Sequence, residues 1–386
     1  MKIVGNSQFQ KAANSSLILD YLREKRICSR IELSENLGLR PSTITYIINR
    51  LMKVGLIKET SIADTVNKNG RPPIFLEING DFGRVIGLDL QADYYNAVIT
   101  DAAGNIIKTR RREYEKGGLS FEELLKSVLE EIVAGENVSQ IIGVGLAVPG
   151  IVDQENSIII DCWTHDLSNI GFSAFFENTF DYPILVENDA NCCAWKNLWD
   201  NRELKDFIYL LPRFHKEDIV PPGYPSVGIG LGLVFDGSVY HGHSNRSGEY
   251  RSANLDILAP GQAGLSMEEM ARVAQDDELK RKLTIELLRN IFWLIDILNP
   301  RSVYIGGDLA GNGAMLHEIL AGELKDEWKR VKQNDCTLVM LEDATLDAAM
   351  GAAASILNEL YSIPQINSRE LSPRKWNNLL SNFEEN

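Results

Sequence analysis

The stretch Ser29-Arg30-Ile31-Glu32-Leu33-Ser34-Glu35-Asn36-Leu37-Gly38-Leu39-Arg40-Pro41-Ser42-Thr43-Ile44-Thr45-Tyr46-Ile47-Ile48-Asn49-Arg50-Leu51 spells two helices and the turn between them. Ser29 and Glu32 form a capping box, in which hydroxyl and carboxylate each satisfy a free backbone N–H. The first helix ends at Gly38, the residue type that most readily takes the left-handed turn after Leu37. Pro41 opens the second helix, where its missing N–H costs nothing. One face of that helix carries Ile44, Ile47, Ile48 and Leu51 in an i, i+3, i+4, i+7 stripe. The other carries Ser42, Thr43, Thr45, Tyr46, Asn49 and Arg50, with no acid among them. Such a helix–glycine turn–helix is what reading a DNA major groove requires.

Upstream, Leu17, Ile18, Tyr21 and Leu22 share one face of a helix expected over Ser15 to Glu24. Downstream of Gly55, Leu56-Ile57-Lys58 and Pro73-Ile74-Phe75-Leu76 flank a polar tip from Asp64 to Gly70. That predicts a hairpin wing, with Lys68 near its tip and Arg71 near its base. The net charge of −15 is unevenly spread. Residues 1–80 carry 12 Lys+Arg against 7 Asp+Glu, a net of +5, and the remainder 27 against 47, a net of −20. A basic front end on an acidic body points to a polyanion met only by the front. A small helical module for protein contact is the competing reading of these eighty residues.

At 386 residues the chain has room for two or three domains, and 44% hydrophobic content excludes a mainly disordered one. No apolar run is long enough to span a membrane, and the first residues lack the apolar stretch of a signal peptide, so a cytoplasmic protein is expected. Five scattered cysteines (Cys28, Cys162, Cys192, Cys193, Cys336) form no C-x-x-C pair, which argues for reduced thiols. His241 and His243 would share one strand face. They read as two surface polar residues or, given a third ligand, a weak metal site.

The body shows a weak repeat. Val85–Leu90 leads through Asn96–Thr100 to the turn Asp101–Asn105; about 140 residues later Ser226–Phe235 reaches the turn Asp236-Gly237, then Ser238-Val239-Tyr240. Asp-Gly between strand runs signals a hairpin, and helix-like and strand-like segments alternate after each. Two α/β lobes with a cleft between them are expected. Three strand runs end in candidate ligand residues: Ile141–Val148 in Pro149-Gly150, Ile184–Glu187 in Asn188-Asp189, and Val303–Ile305 in Gly306-Gly307-Asp308. Ligands collect at such ends. An Asn-Asp pair suits vicinal sugar hydroxyls, with a helix N-cap as the plainer alternative. Gly228, Gly230 and Gly232 would let a phosphate approach, on weak evidence. In the polar tail from Ser362, Trp376, Leu379, Leu380 and Phe383 stand at helical spacing.

From Asn14 to Tyr361 the chain resembles transcriptional regulators of the ROK family (repressors, open reading frames and sugar kinases), of the xylose-repressor type. The motifs are Gly38–Thr45, Asn69-Gly70-Arg71-Pro72-Pro73, Val148-Pro149-Gly150-Ile151-Val152-Asp153, Glu187-Asn188-Asp189-Ala190-Asn191, Gly248-Glu249, and Asn299-Pro300 leading to Gly306-Gly307. The resemblance implies a multi-domain α/β protein: a winged helix-turn-helix over residues 1–80, then an actin-like (ribonuclease H-like) sugar-kinase fold over 82–386. Lobe one would span about 82–195 plus a helix over about 345–361, and lobe two about 196–344. It also implies a double-stranded DNA operator, a sugar or sugar derivative in the cleft, and a homodimer or homotetramer.

Departures from the family pattern decide what the body is expected to do. Family kinases carry an Asp-x-Gly-x-Thr loop that cradles ATP phosphates; here it reads Asp89-Leu90-Gln91-Ala92-Asp93. Side chains block the backbone approach, and a carboxylate replaces the hydroxyl. Asp189 stands at the family's general-base position, but with no cradle an inactive homologue is expected. The family's four zinc ligands are replaced by Ser252, Leu258, Pro260 and Leu265, so no metal and no cofactor are expected, with apolar packing holding the loop. Asn188, Asp189 and Glu249 match the family's sugar ligands, Gly150 would wall the site, Ser252 takes the place of a sugar-contacting His, and a further Glu falls at Met267 or, shifted by one, Glu268. A repressor of carbohydrate genes is the reading. A sugar kinase with an appended DNA-binding domain, an effector-blind regulator and one controlled by a protein partner are the alternatives.

Overall fold

The computed structural model describes residues 7–61, 74–115, 118–201, 203–221, 223–256, 259 and 261–361. Lys68, Arg71, Leu258, Pro260 and the apolar residues of the tail lie outside them. The N-terminal unit comprises α1 (Ser7–Lys25), β1 (Cys28–Ser29), α2 (Arg30–Leu37), α3 (Pro41–Lys53), β2 (Ile57–Thr60) and β3 (Phe75–Ile78). The capping box at Ser29 and Glu32 forms, Gly38 closes α2 at φ 65°, and Pro41 is the first residue of α3. α1 differs from expectation. It starts at Ser7 rather than Ser15, and Leu19 is buried while Leu17 is partly exposed. Residues 10–14 carry no buried side chain, so apolar periodicity marks only the half that packs.

Lobe one holds β4 (Arg84–Leu90), β5 (Tyr94–Asp101), β6 (Ile106–Glu113), α4 (Phe121–Val133), β7 (Ile141–Val148), β8 (Ile151–Asp153), β9 (Ile158–Cys162), β10 (Leu167–Gly171), α5 (Ser173–Thr179), β11 (Ile184–Asn188) and α6 (Asp189–Asp200). Lobe two holds β12 (Phe207–Phe214), β13 (Val227–Phe235), β14 (Ser238–Val239), α7 (Met267–Arg272), α8 (Asp277–Leu298), β15 (Ser302–Ile305), α9 (Gly313–Ala321), α10 (Lys325–Val331) and β16 (Thr337–Met340), after which α11 (Asp347–Tyr361) packs back on lobe one. The sheet orders, β11-β7-β4-β5-β6 and β16-β15-β12-β13-β14, are the same topology twice. The sequence repeat sets the first two strands of lobe one beside the second and third of lobe two. It misses that lobe two opens with β12.

The centre is layered: sheet one, α11, α6, sheet two. Missing side chains let the layers approach. A Cβ on Gly87 or Gly145 would lie 1.9 Å from an α11 carbonyl, and one on Gly351 would lie 1.6 Å from Cys192 O. Gly230 and Gly232 belong to this set, since a Cβ on either meets Ala190 of α6 within 3 Å. These two glycines serve close helix–sheet packing rather than approach to a phosphate.

The N-terminal unit is not a free appendage. Ile18, Leu22, Ile48 and Leu56 share one buried cluster with Val85, Val98, Ile356 and Leu360 of the body. The Arg23 guanidinium lies 4.5 Å from the Trp199 ring centroid, at the far end of α6 from the cleft. Arg26 Nη1 donates to Ala103 O (2.9 Å).

Candidate functional site

The apolar stripe of α3 (Ile44, Ile47, Ile48, Leu51) is buried. Ser42, Thr45, Tyr46 and Asn49 are exposed, and Thr43 and Arg50 half-buried beside them. Arg50 and Lys11 each lie 5.9 Å from the centroid of the Tyr46 ring, so the face is flanked by cations. That geometry can meet phosphates at its rim and base edges at its centre.

In the cleft, β11 and α6 meet at Asn188, where the N-cap reading is realised. Its Oδ1 accepts from Asn191 N (3.0 Å), an N-cap, while its Nδ2 donates to Gly150 O (2.7 Å). Gly150 sits at φ 113°, and a Cβ there would press on Asp161 O at 2.1 Å. Asn188 therefore fixes the wall of the site and spends its own hydrogen bonds doing so. Asp189, the first residue of α6, is buried, with long contacts to Gln91 Nε2 and Arg213 Nε, both 3.5 Å, and a backbone hydrogen bond from Ala190. Burial pushes its carboxyl up to about 6, with Arg213 pulling down and Asp89 pushing up. Glu249 reaches the same place through the bridge between its backbone and Gly230 on β13; burial and the Asp189 charge raise its carboxyl.

Ser252 is buried and spends its hydroxyl on Asn254 N and Asn290 Nδ2 (3.3 Å each), and Glu268 is exposed in the first turn of α7. The loop around Ser252 is stapled by polar groups as well as by apolar packing. Arg251 donates to the carbonyls of Asp256, Ala259 and Gly261, and Gln262 exchanges two hydrogen bonds with Ile229 while donating to Tyr250 O. No group of three or more His, Cys, Asp or Glu able to hold a metal occurs among the described residues.

His241 and His243 lie beyond β14, not on a strand, and only His243 is exposed. His241 Nε2 bonds Glu187 Oε2 (2.8 Å), and the other oxygen of Glu187 accepts from Asn188 N and Asn191 Nδ2. Burial disfavours the imidazolium, but Glu187 outweighs it and raises the His241 value. Glu187 is the hub of the β11–α6 corner. The apolar run of β11 hid it.

Facing Asp189, Asp89 is fully buried and accepts from Gln91 Nε2 (2.5 Å), Asn96 Nδ2 (3.3 Å) and Arg213 Nη2 (3.2 Å). Sequence reading missed Arg213; its one signal was a lone cation inside the apolar run of β12. Beyond it opens a cavity of ≈ 440 Å³ whose charged lining is Asp93, Glu113, Asp308, Glu342 and Asp343 against Arg111, Arg213 and Lys216.

Residues 85–256 match the ROK family, and residues 14–58 a winged helix-turn-helix DNA-binding family. The xylose repressor of Caldicellulosiruptor bescii is 28% identical over 68% of this chain and 64% of its own length, so the chain spans just under two thirds of that relative. A crystal structure described as a ROK family transcriptional regulator, homologue of the E. coli MLC protein, superposes with a TM-score of 0.69 over 92% of this chain and 97% of that one, at 19% identity. The ROK hexokinase of Thermus thermophilus superposes with a TM-score of 0.51 over 70% of this chain and 97% of its own, at 20% identity. Both structures show the fold.

Proposed function

The chain carries a ROK family domain behind a winged helix-turn-helix, and from that premise we propose that it is a DNA-binding, sugar-responsive transcriptional repressor. The observation that carries the reading is the pairing of an acid-free, cation-flanked α3 face with a cleft that brings the carboxyls of Asp189 and Glu249 together. The effector is a neutral sugar, with D-xylose the first to try given the relative's name. The unit on DNA is a homodimer or homotetramer, because two α3 helices must reach successive major grooves. A DNA repressor works in the cytoplasm; no described helix is long and apolar enough to cross a membrane.

The cleft favours regulation over phosphoryl transfer. Five carboxylates against three cations line the cavity beyond Arg213, the reverse of what a triphosphate needs. Where family members hold zinc, Arg251 and Gln262 hold the loop here, so neither metal nor cofactor is needed. The test is binding of the full chain to DNA from upstream of its own gene, with and without D-xylose, beside a coupled ATP-consumption assay. Sugar-sensitive DNA binding without turnover is expected. Sugar-dependent ATP consumption, or no DNA binding at low salt, overturns it.

A further inference from the structure

Two buried carboxylates that face each other share a proton unless a cation intervenes. Asp89, at the end of β4, and Asp189, at the start of α6, are such a pair. The cation between them comes from the opposite lobe. Arg213 Nη2 lies 3.2 Å from Asp89 Oδ2, Nη1 donates to Tyr94 Oη at 3.1 Å, and Nε faces Asp189 Oδ2 at 3.5 Å. That Nε makes no hydrogen bond among the described residues, although Arg213 is only 8% exposed.

We propose that Arg213 is the positioning residue of this cleft: reaching from lobe two, it pairs both acids of lobe one, presents Asp189 to the effector as a charged hydrogen-bond acceptor, and fills the approach a phosphate would use. The second part rests on the sugar-effector reading; the pairing stands without it. The groups facing Asp189 are Asp89 and Gln91 at the end of β4, Arg213 from β12, Glu249 from the segment after β14, the Cys162 thiol from β9 and the Cys192 and Cys193 thiols of α6. Arg213 is the cation among them. Asp189 titrates near 6 and stands ionised at neutral pH, ready to accept from a neutral hydroxyl. A phosphate would instead meet two carboxylates around a cation whose Nη groups are already engaged.

The experiment is a carbon-13 titration of aspartate carboxyls in the full-length protein, with the Asp189 signal assigned through Asp189→Asn. In Arg213→Gln the Asp189 midpoint is expected to rise by about 1–3 pH units. Arg213→Lys is expected to fall between it and wild type, and carries the test should the glutamine variant fail to fold. D-xylose calorimetry at pH 7.5 should weaken about tenfold or more in Arg213→Gln and recover at pH 9, a recovery that structural damage would not produce. An unmoved Asp189 midpoint overturns the pairing. Binding of D-xylose 5-phosphate or an ATP analogue more tightly than D-xylose overturns the exclusion of phosphate. A shifted midpoint with no sugar bound at any pH overturns the presentation of Asp189 to a sugar and leaves the pairing intact, which separates this inference from the effector reading.

Discussion

The two lobes share one strand order and put it to different uses. Lobe one holds the strand-end corner of Asn188, Asp189 and Gly150, and its α11-covered side is continuous with the core of the N-terminal unit. The buried clusters of lobe two include no described residue of the N-terminal unit. It contributes a cation, Arg213, an acid, Glu249, and a loop held by Arg251 and Gln262. The difference teaches that duplication supplies a cleft, while the residues at the strand ends decide what the cleft does. α6 joins the two uses, running from Asp189 in the cleft to Trp199 under Arg23.

The sharpest break of this arrangement is at the layer between the lobes. Gly351→Val puts a side chain onto Cys192 O, and about 3 kcal/mol or more of stability should be lost. Urea unfolding should show both lobes failing in one transition; two transitions would mean the lobes are independent. Asp189→Asn is next. It removes a charged acceptor from the effector and should cost about 1.5–3 kcal/mol of sugar affinity, roughly 10- to 100-fold by calorimetry. DNA affinity without sugar should stay as in wild type. Asn49→Ala should weaken operator binding by about 1–3 kcal/mol without moving the melting temperature, because the side chain is exposed on α3.

Within lobe two, Arg251→Ala should cost about 1–2 kcal/mol and raise hydrogen exchange around Ser252 and Gln262, while chelator leaves the wild-type melting temperature unchanged. The smallest effect concerns pH. The raised His241 value means its bond to Glu187 stabilises fully below about pH 6.5, and this is lost as pH rises through the raised value. His241→Gln should flatten the stability profile across neutral pH by at most about 1 kcal/mol.

Local rules carried the N-terminal unit. The box at Ser29, the turn at Gly38, the start at Pro41 and the stripe of α3 depend on neighbours within a few residues, so they are legible along the chain. The strand-end motif at Asn188-Asp189 was legible for the same reason. What each member does was not: Asn188 is consumed by Gly150 and Asn191, and Asp189 is left with long contacts. Arg213 and Asp89 are 124 residues apart, and no spacing along the chain announces that β12 delivers a cation to β4. The alternating glycines of β13 were visible, but only tertiary packing shows that Ala190 fills the space they leave. The sequence by itself determined the DNA-reading helix, the repeat and the acids of the cleft, because helix caps and alternation are short-range. Tertiary structure alone decided which charges pair across the cleft and how the N-terminal unit docks, because both depend on surfaces that meet only once the chain has folded.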